Sequence, residues 1–134
     1  MSDSQMIKFS LLVTGNPASD QSASTAIQFC EAALAAGHHI AGVFFYLDGV
    51  LTASHLISPA SDEVNVPDRW AALATQHNFP LEVCVSASLR RGIINETESK
   101  QLDLQHYNLK APFVLSGLGQ LAELSASCDR LIQF

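Results

Sequence analysis

Short apolar runs bounded by turn-forming residues recur along the chain and predict a series of buried β-strands. The clearest runs are at residues 7–13, 40–46 and 81–85. A fourth run covers residues 113–116, and residues 131–134 can form a short fifth strand. A sheet is therefore expected to be the central element of the fold.

Helical patterns fill the gaps between these runs. At residues 22–37 the apolar positions recur at the spacing of one helix face, and a glycine closes the pattern. Further helices are predicted at residues 68–77 and from 118 to about 127. The sequence Asn95-Glu-Thr-Glu98 has the spacing of an N-cap with an acidic partner three positions later, so another helix is expected to start there.

Residues 47–66 differ from the rest of the chain, because Asp48-Gly49 and Ser58-Pro59 interrupt any regular pattern. A long loop is predicted here, with its centre at residues 58–63 on the surface. Elsewhere strands alternate with helices, which predicts an α/β fold with a mostly parallel sheet covered on both faces. No linker or repeat divides the chain, so residues 1–134 are expected to form one domain.

Composition and charge narrow the classes of function. Hydrophobic residues make up 48% of the chain and charged residues 15%, as in a globular protein. The formal charge is −6, whereas a protein that grips nucleic acid carries a basic face, so strong direct nucleic-acid binding is not expected. No apolar run approaches the roughly 20 residues of a spanning helix, and the N-terminus does not resemble a secretory signal. A cytoplasmic protein without membrane contact is expected.

The three cysteines are not equivalent candidates for chemistry. Their odd number and wide spacing predict neither a disulfide framework nor a zinc site. Cys30 falls on the apolar stripe of the first helix, so a place in the core is predicted. Cys128 precedes Asp129, whose carboxylate disfavours the reactive thiolate, so packing or an edge contact is predicted for it.

Cys84 is the strongest chemical candidate. It lies near the end of the strand at residues 81–85, and Arg90 and Arg91 follow it. Open α/β sheets place their chemistry at strand ends, and nearby cations favour the nucleophilic thiolate. Such a thiolate can attack a disulfide or persulfide sulfur, or hold a sulfane sulfur itself. A buried strand cysteine beside a solvated basic turn explains the same spacing, and the residues alone leave both interpretations open.

The histidines predict no metal centre. None of the five forms an H-x-x-x-H pair or stands at metal spacing from a cysteine. His55, in the predicted loop, is a minor candidate for a site residue.

Several segments together resemble one family. They are residues 13–15, 43–46, 58–63, 84–92, 115–119 and 128–134. In this order they resemble the TusD-type sulfurtransferase subunits of the DsrE/DsrF-like family. The likeness runs from about Ile7 to the C-terminus, so residues 1–6 are expected to be an N-terminal extension.

The resemblance implies both a fold and a task. The fold would be a three-layer α/β/α sandwich with a central, mainly parallel five-stranded sheet. The task would be sulfur transfer for 2-thiouridine at the tRNA wobble position, with Cys84 as the persulfide carrier, Arg90 and Arg91 in support, and no cofactor or metal. A TusA-type protein would donate the sulfur and a TusE-type protein would accept it. TusB-like and TusC-like subunits would complete a heterohexamer with two copies of each.

Two alternatives stay open at this point. One is a DsrE-type subunit, in which the same thiol chemistry serves sulfur oxidation. The other is a non-catalytic scaffold subunit of the same oligomer, in which Cys84 is only a core residue.

Overall fold

The computed structural model describes residues 5–134. Most of the predicted N-terminal extension, residues 1–4, lies outside the described residues. Gln5, Met6 and Ile7 precede the first strand without regular structure.

Five strands form one sheet at the centre of the molecule. Their bounds are β1 Lys8–Val13, β2 His39–Phe45, β3 Leu81–Cys84, β4 Phe113–Ser116 and β5 Arg130–Gln133. The order across the sheet is β4-β3-β2-β1-β5, and every neighbouring pair is parallel. The prediction of a mainly parallel five-stranded sheet is confirmed.

Helices connect the strands, and all but the short α3 were predicted from the sequence. Their bounds are α1 Ser22–Ala35, α2 Val66–His77, α3 Val85–Leu89, α4 Glu96–Gln101 and α5 Leu118–Ser127. The N-cap prediction at the start of α4 is confirmed, because the Asn95 side chain accepts a hydrogen bond from the Glu98 backbone N–H at 2.8 Å. At the start of α1 the N-cap is Gln21, and its side chain makes no capping hydrogen bond.

The helices lie on both faces of the sheet and complete three layers. Phe29 of α1 packs edge-on against Phe9, and Trp70 of α2 packs edge-on against Phe45. These strand residues point to one face, because side chains alternate along a strand. On the other face, the Ser10 hydroxyl donates to the Leu124 carbonyl of α5 at 2.9 Å. We call this second side the α5 face.

Helix α5 packs closely on the α5 face of the sheet. A Cβ atom at Gly42 on β2 would lie 2.8 Å from the Leu124 side chain, so the absence of a side chain at Gly42 leaves room for Leu124 of α5. Other residues of the same face follow from the strand register. They are Phe44, Glu82, Cys84, Val114 and Ser116.

The segment predicted as one long loop is only partly a loop. Leu47–Ala53 forms a 3₁₀ helix, and its buried residues are Gly49, Val50, Thr52 and Ala53. It packs against β3, α2 and α3. Residues 58–63 lie largely at the surface, as predicted. Throughout residues 5–134, no helix has both the length and the apolar character needed to cross a membrane.

Candidate functional site

Cys84 is the last residue of β3 and the N-cap of α3, so the strand passes into the helix directly at the thiol. Its backbone is still extended, with φ −60° and ψ 122°. The sequence indicated the strand end but not the short helix that follows it. Cys84 is only 2% exposed, so the thiol is covered in the isolated chain.

The fold places Cys84 beside a change in the direction of the chain. The steps from β1 through β2 and β3 to β4 all run one way across the sheet, so right-handed crossovers put α1 to α4 on one face. The step from β4 to β5 runs back, and α5 lies on the opposite face. The carboxyl ends of β3 and β4 therefore form a topological switch point, which is where open α/β sheets bind ligands.

Ser116 occupies the other side of this switch point. It ends β4 and is the register partner of Cys84 in the parallel ladder. Because facing residues of a ladder project to the same side, the Ser116 hydroxyl and the Cys84 thiol share the α5 face. Within residues 5–134 the buried Oγ of Ser116 has no hydrogen-bond partner.

Two further buried hydroxyl groups belong to elements that contact β3 or follow it. Ser88 lies in α3, four residues after Cys84, and Thr52 lies in the 3₁₀ helix. Both side chains are fully buried, and in the described part of the chain their oxygens also lack partners. Unlike Ser116, neither residue is a register partner of Cys84 in the ladder.

Arg91, predicted to support Cys84, makes contacts of its own. Its Nε lies 2.9 Å from Oδ1 of Asp48 in the 3₁₀ helix, and its Nη1 donates to the Ala87 carbonyl at 3.0 Å. The guanidinium therefore links the end of α3 to the 3₁₀ helix. Arg90 is exposed, and none of the salt bridges found in residues 5–134 involves it.

Glu82 adds a carboxyl group that the sequence analysis did not consider. It lies two residues before Cys84 on the α5 face of β3 and is buried beside Phe44. One carboxyl oxygen, Oε2, is without a partner in residues 5–134. A buried carboxylate here would oppose a second negative charge at Cys84, so an anionic sulfur there needs a hydrogen-bond donor.

The other two cysteines lie elsewhere. Cys30 is fully buried in α1, and burial raises the pKa of its thiol to about 12. Its predicted place in the core is confirmed. Cys128 follows α5 and is half-buried, with its Sγ 3.6 Å from the Ser125 carbonyl. Packing or an edge contact, the role predicted for Cys128, stays a prediction.

His55, His38 and His39 belong to other parts of the fold than Cys84. His55 lines a cleft of about 200 Å³ with Asp68 and Lys110, and Cys84 is not part of its lining. His38 precedes β2 and His39 begins it, so both lie at the amino end of that strand. His38 Nδ1 accepts a hydrogen bond from the Ile7 backbone N–H at 3.0 Å. Among the described residues no three histidine, cysteine or acidic side chains are placed to hold a metal ion.

Sequence reasoning missed Ser116, which is the register partner of Cys84, and Glu82, which lies two residues before Cys84 on β3. The signal for Glu82 was present in its position two residues before Cys84 on a predicted strand. Ser116 ends another predicted strand, but the sequence does not say that β4 lies beside β3.

Comparison with known sequences identifies the family of the chain and gives named relatives. The sequence model of the DsrE/DsrF-like family matches residues 8–134. The chain is 49% identical to sulfurtransferase TusD of Proteus mirabilis over 96% of its length and 98% of that protein. It is 51% identical to sulfurtransferase TusD of Salmonella dublin over 96% of its length and all of that protein.

The fold is also known from a solved structure. The crystal structure of the YchN protein from Escherichia coli superposes with a TM-score of 0.71 at 20% identity, covering 96% of this chain and all of that one. This likeness confirms the α/β sandwich, and the curated relatives confirm the predicted class of enzyme, a sulfurtransferase. With a family match over nearly its whole length, the chain belongs to the DsrE/DsrF-like family.

Proposed function

We propose that this sulfurtransferase carries persulfide sulfur on Cys84 within a sulfur relay. The observation that supports the proposal most directly is the position of the thiol. Cys84 ends β3 at the switch point of the sheet, while Cys30 is held in the core and Cys128 lies beyond α5. The relatives named sulfurtransferase TusD supply the reaction class.

The transfer is a pair of displacements at sulfur. The Cys84 thiolate attacks the outer sulfur of a donor persulfide, a new S–S bond forms at Cys84 Sγ, and the donor leaves as its thiolate. The acceptor's thiolate then attacks the outer sulfur of the Cys84 persulfide and releases Cys84. Neither step needs an oxidant or a cofactor, because the sulfane sulfur passes between thiols without net oxidation.

The donor in this proposal is a TusA-type protein and the acceptor a TusE-type protein, and the sulfur ends in 2-thiouridine at the tRNA wobble position. The acidic balance of the chain, with a net charge of −6, suits a protein that passes sulfur to other proteins rather than binding tRNA. Arg90 is exposed and suits contact with these proteins, whereas Arg91 supports the site by holding α3 to the 3₁₀ helix.

TusB-like and TusC-like subunits are proposed as stable partners, with two copies of each subunit in a heterohexamer. The α5 face supports this. Val114 on β4 is 51% exposed, Leu118 on α5 is 52% exposed and Leu131 on β5 is 40% exposed. In α5 itself only Leu124 is buried. A helix and two edge strands with this much exposed apolar surface are typical of a subunit interface.

Persulfide loading tests the central claim. The protein is incubated with glutathione persulfide, and peptides are examined by mass spectrometry for a gain of one sulfur atom. We expect the gain on Cys84 and its loss in Cys84→Ser. Cys128→Ser removes the more exposed thiol and is the matched control, which should load like the wild type.

A second candidate is a non-catalytic subunit in which Cys84 is only a core residue, and the 2% exposure of Cys84 favours it. An unloaded Cys84, under conditions that load a known persulfide carrier, would establish this candidate instead. For the relay itself, a strain that lacks its TusD-type protein is complemented with wild type or Cys84→Ser. We expect 2-thiouridine in tRNA hydrolysates to return only with the wild type.

Assembly has its own measurement. Co-expression with TusB-like and TusC-like chains should yield one complex whose mass corresponds to two copies of each. Leu118→Glu should reduce that complex, because it places a charge on the exposed apolar surface of α5. Leu102→Glu changes an equally exposed leucine near the end of α4 and is the matched control, which should leave assembly unchanged.

A further inference from the structure

Ser116 carries a hydrogen-bond donor that the resting fold does not use. Its Oγ is buried and has no partner within residues 5–134. Buried hydroxyl groups without partners are unfavourable, so they are uncommon unless a ligand or a reaction intermediate uses them.

The position of Ser116 points to the group that uses its donor. Ser116 and Cys84 are register partners at the ends of adjacent parallel strands, about 5 Å apart between backbones. Both side chains project to the α5 face, at the switch point of the sheet. In the free thiol state no hydrogen bond joins them. A persulfide adds a second sulfur about 2 Å beyond Cys84 Sγ, and this outer sulfur is anionic when it is ionised.

We propose that the Ser116 hydroxyl donates a hydrogen bond to the outer sulfur of the Cys84 persulfide, and so makes Ser116 a catalytic residue of the transfer. The inference rests on the proposed function of Cys84. Ser116 forms no covalent bond during the transfer. The hydroxyl keeps its proton and only stabilises the charge on the sulfur that is transferred.

The same contact has opposite consequences for the two states of Cys84. With the thiol, the hydroxyl is buried and unpaired, so its removal should leave the fold as stable as before or more stable. With the persulfide, removal deletes a donor to an anionic sulfur, so the persulfide should form less readily. A purely structural serine would not separate the two effects in this way.

The experiment measures both states in Ser116→Ala. The full-length protein is equilibrated with a fixed mixture of glutathione persulfide and glutathione, and intact-protein mass spectrometry gives the ratio of persulfide to thiol at Cys84. We expect this ratio to fall about tenfold relative to wild type. The Tm of the untreated variant should stay equal to that of wild type or rise by a few degrees.

Two variants control the result. Ser88→Ala makes the same chemical change at another buried hydroxyl group without a partner, in α3 rather than opposite Cys84 in the ladder, and should load like wild type. Ser116→Thr keeps the hydroxyl group and should restore most of the persulfide.

Each other outcome contradicts the proposal. If wild type and Ser116→Ala load equally, the proposed hydrogen bond from Ser116 to the persulfide is refuted, while Cys84 is still the carrier. An equal fall in Ser88→Ala shows that the effect is not particular to Ser116. A large fall in the Tm of Ser116→Ala shows that the hydroxyl already has a partner in the fold. If wild-type Cys84 takes up no sulfur, the proposed function fails together with this inference.

Discussion

Replacing Asp48 by Asn tests whether Arg91 acts on the sulfur or only fastens the structure around it. The two side chains are 54% and 27% exposed, with Arg91 Nε 2.9 Å from Asp48 Oδ1. At this exposure solvent screens most of the Coulomb attraction, so their coupling should be about 0.2–1 kcal/mol. Arg91→Met should cost more than Asp48→Asn, because it also removes the hydrogen bond to the Ala87 carbonyl.

Urea unfolding of the two single variants and the double variant measures this coupling as a double-mutant cycle. Trp70 is fully buried and is the only tryptophan of the chain, so its fluorescence reports the unfolding of the core. Arg90→Met is the matched control for loss of a neighbouring positive charge, and it should change stability by less than about 0.5 kcal/mol. A coupling above about 2 kcal/mol would contradict the assignment of a screened surface pair.

Persulfide loading of the same variants decides the chemical question. Asp48→Asn leaves the Arg91 charge in place and removes its carboxylate partner. If Arg91 only links α3 to the 3₁₀ helix, the loading rates of Asp48→Asn and Arg91→Met should both stay within about threefold of wild type, which corresponds to the weak coupling of the pair. A tenfold rise in Asp48→Asn together with a tenfold fall in Arg91→Met would refute this reasoning and assign the guanidinium to the sulfur.

Three further predictions follow from local features. Gly49→Ala should lower the free energy of unfolding by about 1–3 kcal/mol in urea titrations, because its Cβ would lie 2.1 Å from the Val13 carbonyl oxygen, and an unchanged midpoint would contradict this packing. Cys30, with its pKa raised to about 12, should resist iodoacetamide at pH 8 until the protein is unfolded, and labelling of the native protein would show that the site opens. Hydrogen bonds from Ser22 lower the pKa of Asp20 below its ordinary value. The ionised Asp20 carboxylate should therefore contribute its full stabilisation of the fold above about pH 4, and this contribution should be lost as the pH falls through the pKa of Asp20 in the folded protein. The difference in Tm between wild type and Asp20→Asn should therefore shrink in that range, and a constant difference down to pH 2 would contradict it.

Local periodicity was sufficient where a segment is organised by its own contacts. The stripe that contains Cys30 predicted the buried side of α1, and Asn95 predicted the start of α4, because both depend on residues three or four positions away. The 3₁₀ helix at Leu47–Ala53 was not predicted. Its burial depends on the approach of Gly49 to the Val13 carbonyl at the end of β1, and this contact leaves no period in the sequence.

Local sequence patterns were enough to predict the α/β class, a strand with Cys84 near its end and the core position of Cys30, and the matching segments carried the resemblance to sulfurtransferases of the DsrE/DsrF-like family. The groups beside the thiol, in contrast, come from segments far apart in the sequence. The order β4-β3-β2-β1-β5 brings Ser116 beside Cys84. The packing of the 3₁₀ helix places Asp48 within salt-bridge distance of Arg91. The physical reason is that hydrophobic periodicity depends on which side of an element is buried, whereas the neighbours of a strand end depend on the order in which distant strands pair.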